Sequence, residues 1–249
     1  MKYIIKFSKR GRMSYISHLD MLHQFIRTLR IVGLRPSYSN GFNPHPKISV
    51  ALPLSLGFAS NCEFLELETD AIMDPAIAIK NINDILPDGL EVIEFTEKSP
   101  EIKKTLASLV TEVRYDIITA IPDTLLNKAD ICSEEIEYKN SFDRRDKIKT
   151  IREEIIRDSI SSFLGQERII TTKLNRKKNV MQEFDLKPYI ICFEMSSIWS
   201  KQVMFDCNLS TKDSRSINPL TVTEAFFTYS NSEIPASSEI RVLRKNISF

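Results

Sequence analysis

All three histidines of this 249-residue chain, His18, His23 and His45, lie in one stretch, and the chemistry an imidazole supplies there is the first question the sequence poses. A metal triad is disfavoured by geometry. On a helix, His18 and His23 are five residues apart, about 140° around the axis, whereas a zinc-binding H-x-x-x-H pair is four apart and shares a face. His18 and His45 remain as a pair. His18 follows Ser17 in the string Ser17-His18-Leu19-Asp20 at an expected helix start, where free backbone N–H groups and the positive helix end suit an anion or a general base. His45 stands between Pro44 and Pro46 in Asn40-Gly41-Phe42-Asn43-Pro44-His45-Pro46-Lys47, and the two prolines present it on a stiff, extended backbone.

The surroundings of these two histidines are basic. From Met1 to Asn61 nine lysines and arginines face the single acid Asp20, while from Cys62 to Glu101 eleven acids face only Lys80 and Lys98. A basic side suits a polyanion and an acidic one a protein partner or solubility. Lys9, Arg10 and Arg12 before the helix and Lys47 after the prolines can surround one spot with positive charge; with Ser17, His18, Asn43 and His45 they form the candidate anion or RNA site. Tyr15, Tyr38 and Phe42 can stack on unpaired bases, which makes a single-stranded RNA surface on a sheet the expectation. Two further basic clusters, Asn175 to Asn179 and Arg241 to Lys245, read as a solvated turn and a strand end or as extra phosphate contacts. His18 and His45 are also the candidates for catalysis. No Walker A, G-x-G-x-x-G or G-x-S-x-G string accompanies them.

The elements that must hold these residues are legible from periodicity. Lys2 to Phe7 alternates as a strand, and Ser17 caps a helix with the apolar stripe Leu19, Leu22, Phe25, Ile26 and Leu29, ended by Gly33 and Pro36. Ile48–Leu52 and Glu63–Glu68 read as strands, Ala76–Ile85 as a helix capped by Asp74, and Leu90–Phe95 as a strand. Strand, helix, strand, strand, helix, strand is the ferredoxin-like pattern. After a polar linker, Thr96 to Lys104, it repeats: a strand at Ser108–Ala120, a helix at Ile148–Leu164, strands at Ile169–Leu174, Tyr189–Glu194 and Lys201–Leu209, a helix at Pro219–Tyr229 and a strand at Glu239–Ile247. The expected fold class is α+β, two ferredoxin-like units in tandem, 1–98 and 105–249, the second with an extra hairpin and a charged insertion at Lys128 to Lys149.

Composition narrows the class further. With 42% hydrophobic and 27% charged residues the chain is globular, and its longest weakly polar run falls short of the roughly 20 apolar residues a membrane helix needs. Nothing resembles a signal peptide, so a cytoplasmic protein is expected. Cys62, Cys132, Cys192 and Cys207 are too scattered for a zinc ribbon or an iron–sulfur cluster, and no metal or cofactor is expected.

Ser17-His18-Leu19-Asp20, the string Tyr38 to Ser49 around Asn43-Pro44-His45-Pro46-Lys47, and Ala51-Leu52-Pro53-Leu54-Ser55-Leu56-Gly57 together resemble the radical-SAM-linked bacterial proteins, a family of unknown function. The resemblance is close from Phe7 to Leu67 and looser onward, where Lys173 to Pro188 and Arg241 to Ile247 also fit. It implies a radical-SAM partner with a cobalamin-binding-like domain and a setting among RNA-processing and ribosomal genes, and it assigns no role to His18 or His45. Three readings follow. The first is an accessory protein that binds RNA, or an RNA-bearing substrate, for that partner. The second is a metal-independent RNA-processing enzyme using His18 or His45, by fold-level analogy with CRISPR RNA endonucleases. The third is a protein–protein adaptor docking through the acidic segment 63–101. Whether the chain is an enzyme is left open by its residues.

Overall fold

A computed structural model describes residues 1–125, 141–175, 180–211 and 216–249. The chain is α+β and forms two compact units, Met1–Val113 with Val242–Phe249 (unit 1) and Arg114–Arg241 (unit 2).

In unit 1 the order is β1 (Lys2–Lys9), a 3-10 turn (Gly11–Tyr15), α1 (His18–Ile31), β2 (Ile48–Val50), β3 (Ala59–Glu68), α2 (Pro75–Asn83), β4 (Leu90–Glu97) and a short α3 (Leu106–Leu109). β1 lies between β3 and β4, antiparallel to both, and β2 pairs with the other edge of β3. The first half of that same edge takes the last strand of the chain, β10 (Arg241–Ser248), in parallel, Leu243 opposite Ala59 and Arg244 opposite Ser60. The sheet is therefore mixed. Alternation along β1 sends Tyr3, Ile5 and Phe7 to one face, where they pack with Phe25 and Leu29 of α1, Ala78 and Ile82 of α2, Leu65 and Leu67 of β3, and Val92 and Phe95 of β4. Phe7 meets Phe25 at a ring separation of 4.6 Å.

Local chemistry sets the helix ends. Ser17 Oγ accepts from the Asp20 N–H at 3.1 Å and donates to Asp20 Oδ2 at 2.7 Å, so Asp20 reaches back to the capping hydroxyl rather than to the Ser17 backbone. Asp74 caps α2 through the Ala76 and Ile77 N–H groups, with Pro75 at the first position. The buried stripe of α1 is Met21, Phe25, Ile26, Thr28 and Leu29; Leu19, expected on it, is 62% exposed, and Met21 is the buried side chain of the first turn.

The stretch 96–104, expected as a linker, belongs to unit 1 and contains a buried lysine. Lys98 Nζ donates to Glu66 Oε1 at 2.6 Å and to the Lys104 carbonyl, and Glu66 Oε2 accepts from the Leu106 N–H.

Unit 2 holds β5 (Glu112–Ala120, mostly within it), α4 (Ser141–Leu164), the hairpin β6 (Ile170–Asn175) and β7 (Val180–Asp185), β8 (Ile190–Trp199), β9 (Gln202–Ser210) and α5 (Pro219–Tyr229). β9 lies between β5 and β8. β5 starts later than expected, because Leu106–Leu109 is helical, and α4 starts earlier, at Ser141, inside the stretch expected as an insertion. The rest of that insertion, 128–140, and the hairpin tip 176–179 lie outside the described residues. An aromatic core of Phe163, Phe193, Phe205, Phe226 and Phe227 fills the unit, with Asn218 capping α5. Among the described residues no helix is long and apolar enough to cross a membrane.

Candidate functional site

The basic residues of the N-terminal stretch part into three groups in unit 1, one interior and two at opposite ends. The strand register fixes those ends. Lys9 pairs with Leu90 and Ser60 at one end of β1, and Lys2 pairs with Glu68 at the other. The Arg10 N–H donates to the Gly89 carbonyl, so the turn leading into α1 belongs to the Lys9 end. The Ser37 N–H donates to the Glu68 carbonyl and the Glu68 N–H to the Lys47 carbonyl, so the loop with His45 belongs to the Lys2 end. Seven residues of extended strand separate the ends by roughly 23 Å.

The interior group overturns one expectation. Lys9 is 1% exposed, and its Nζ donates to the Ile16 carbonyl at 3.1 Å and the Ser14 carbonyl at 3.5 Å. Burial pulls its ammonium below the ordinary lysine value, against the opposing charge of Glu63. Glu63 is itself 1% exposed, and both its oxygens accept from Arg244 Nη1, at 2.8 and 2.9 Å, while the same guanidinium donates to the Leu52 and Pro53 carbonyls. Burial pushes the Glu63 carboxyl up and the Arg244 charge opposes it. Lys9 is thus a structural cation, out of reach of a phosphate in solvent.

At the Lys9 end stand Arg10, Arg12, Ser17 and His18. Arg10 is exposed and donates from Nε to Asn61 Oδ1 at 2.9 Å; Arg12 is exposed in the 3-10 turn. Ser17 is committed to capping. His18 is half-buried, and its Nδ1 is buried without a hydrogen-bond partner.

The loop containing Asn43, His45 and Lys47 is at the other end. Tyr38 pairs with Pro46 across it, the Ser39 N–H donates to the His45 carbonyl, and the His45 N–H donates to Ser39 Oγ at 2.9 Å. These bonds and the two prolines hold a narrow arm, with Gly41 at φ +127°, in the left-handed region that favours glycine, near its tip. Asn43 and His45 are exposed, and Phe42 is fully so. Lys47 Nζ is paired with Glu68 Oε1, which holds the Glu68 carboxyl below the usual carboxylate range. His18 and His45 are therefore not brought together.

What the loop does meet is the C-terminal half of α1. Arg30 Nη2 donates to the Tyr38 hydroxyl, about 18 Å along the helix from His18. His23, Arg27 and Arg30 recur at intervals of four and three, one stripe on the helix surface. With Ile26, Ile31, Tyr38 and Pro46 they line an open concavity of about 540 Å³. Arg27 and Arg30 form no ion pair with any described residue. None of these three was a nominee from the sequence. The rotation of about 140° that turns His23 away from His18 carries it to the loop.

The outer sheet face is a poor place for a polyanion. It carries Glu66, Glu68 and Glu94, paired to Lys98, Lys47 and Lys6. Tyr15, Tyr38 and Phe42 are off the sheet, so the expected base-stacking sheet surface is not formed by them.

Residues 2–219 match the model of a family described as uncharacterised proteins conserved in bacteria, DUF2344. The chain belongs to this family. No curated protein matches it. Among solved structures, a chain of the crystal structure of a Cbf5-Nop10-Gar1 complex aligns over 98% of this chain at 9% identity and TM-score 0.49. An unknown protein from Galdieria sulphuraria aligns over 100% of this chain and 98% of its own at 7% identity and TM-score 0.25. The DUF2344 chain spans about half, 48%, of the first of these. Likenesses this distant carry no functional argument.

Proposed function

We propose that this DUF2344 protein is a cytoplasmic accessory protein that binds RNA for a radical-SAM partner enzyme, and that the RNA backbone lies in the groove between α1 and the Pro-His-Pro loop. The observation that carries the reading is the stripe His23, Arg27 and Arg30 lining one concavity with Tyr38 and Pro46, with neither arginine in an ion pair with a described residue. Guanidinium groups offer a fork of donors matched to phosphate oxygens. An open, unneutralised pair of them on a rigid helix is arranged for a phosphate chain rather than for fold stability. The radical-SAM partner rests on the resemblance in Phe7 to Leu67. We also read unit 1 as ferredoxin-like from its element order and from β1 standing between β3 and β4, and unit 2 as a second such unit carrying the β6–β7 hairpin.

Equilibrium binding of total bacterial RNA, measured by electrophoretic mobility at low salt, tests the reading. Wild type is expected to shift the RNA and Arg27→Glu to lose most of the shift. Two arginine–phosphate contacts predict that log K falls with log salt at a slope of about −1.4 for a single strand. No shift at low salt overturns the proposal, and an unchanged shift for Arg27→Glu moves the RNA elsewhere.

A further inference from the structure

The groove explains how a phosphate chain is held but leaves one conspicuous side chain unused. Phe42 is 112% exposed, more than a ring in an extended reference peptide, at the tip of an arm whose base is pinned by the Tyr38–Pro46 bridge and by two hydrogen bonds between Ser39 and His45. An aromatic ring left fully in water costs free energy relative to any covered position. The arm is also stiff, with Pro44 and Pro46 fixing their own φ and restricting Asn43 and His45. A rigid arm that holds out one ring is organised to receive a flat partner.

Resting on the RNA reading above, we infer that Phe42 is a stacking platform for one unpaired nucleobase, with the exposed Asn43 amide beside it in sequence available to the base edge, so that the site selects single-stranded over duplex RNA. Position supports this. Phe42 is four residues from Pro46, which lines the groove, so its Cα lies within about 14 Å of the Pro46 Cα. A short strand whose phosphates meet Arg27 and Arg30 reaches the ring. A base inside a duplex has both faces covered by its neighbours and cannot stack on an outside ring, whereas an unpaired base can. Of the other two exposed aromatics in the N-terminal stretch, Tyr15 belongs to the opposite end of unit 1, and Tyr38 is less exposed and held to Arg30 through its hydroxyl.

The test is fluorescence anisotropy with a short mixed-sequence RNA, presented as a labelled single strand and as the duplex with its complement, against full-length wild type, Phe42→Ala, Phe42→Trp and Arg27→Glu. The expected result is tighter binding of the single strand by wild type. Phe42→Ala should weaken the single strand roughly tenfold, the loss of one base–aromatic stack, with duplex affinity and salt slope unchanged, because a stack neutralises no phosphate. Phe42→Trp should restore binding. Equal binding of both RNAs together with an inert Phe42→Ala overturns the stacking inference and leaves the RNA reading standing. Failure of both RNAs to bind removes the RNA reading itself.

Discussion

Two sets of cations in unit 1 have opposite fates. Lys9 and Arg244 are within 2% of complete burial and serve Glu63 and four backbone carbonyls, those of Ser14, Ile16, Leu52 and Pro53. Arg27 and Arg30 stand on an open helix face and form no ion pair with a described residue. A count of charges along the chain treats all four alike. The difference lies in what each side chain is asked to satisfy: the inner cations are bound by fixed oxygens and cannot be spared, and the outer ones have donors left over.

The sharpest break of this comparison is Arg244→Ala. It leaves Glu63 as a buried carboxylate with its main partner gone, at an expected cost of about 3–5 kcal/mol, read as lost hydrogen-exchange protection of β1 and β3 amides. The double replacement Glu63→Leu with Arg244→Met should recover only part of it, because an apolar pair removes both desolvation costs but leaves Lys9 without its opposing charge and the Leu52 and Pro53 carbonyls without donors. If Arg244→Ala is neutral, the inner set is not structural.

Next in size is Arg27→Glu, expected to lower RNA affinity at least tenfold while the urea midpoint stays put. A matching loss of stability would place Arg27 with the inner set. Lys9→Met keeps the buried stem and removes two hydrogen bonds to carbonyls, so it should cost about 1–2 kcal/mol and leave RNA affinity untouched. Weakened RNA binding by a folded Lys9→Met protein would contradict its interior role.

The smallest effect belongs to the Lys47–Glu68 pair. Lys47 holds the folded-state pKa of Glu68 below the unfolded value, so its contribution is present above the unfolded carboxylate pKa and is lost as pH falls through the folded one. Glu68→Gln should therefore flatten the acid limb of thermal stability slightly, by under about 0.5 kcal/mol after solvent screening of so exposed a pair. A steep change would mean that this pair is far less screened than its exposure implies.

What was legible in the sequence was local. Ser17, Asp74 with Pro75, and Asn218 with Pro219 announce helix starts through bonds spanning two or three residues, and all three caps form. The pairing of His18 with His45 failed for a topological reason already implicit in the element order. A helix that follows one strand and precedes another must return along the sheet, so a loop leaving its C-terminus cannot face its N-terminus. The stripe His23, Arg27 and Arg30 was visible as a period but had no assigned partner until the loop's side was known. Glu63 and Arg244 are 181 residues apart, and no periodicity announces such a pair.

The placement of β10 bears on the order in which the protein can be completed. Arg244 fills a site built by β3 and by the Leu52–Pro53 carbonyls, yet the ribosome makes it only after the whole of Arg114–Arg241. During synthesis the N-terminal body therefore waits with Glu63 lacking its guanidinium. A nascent chain stalled before Val242 should show an N-terminal body that is collapsed but soft to protease, and release of the final strand should harden it in one step.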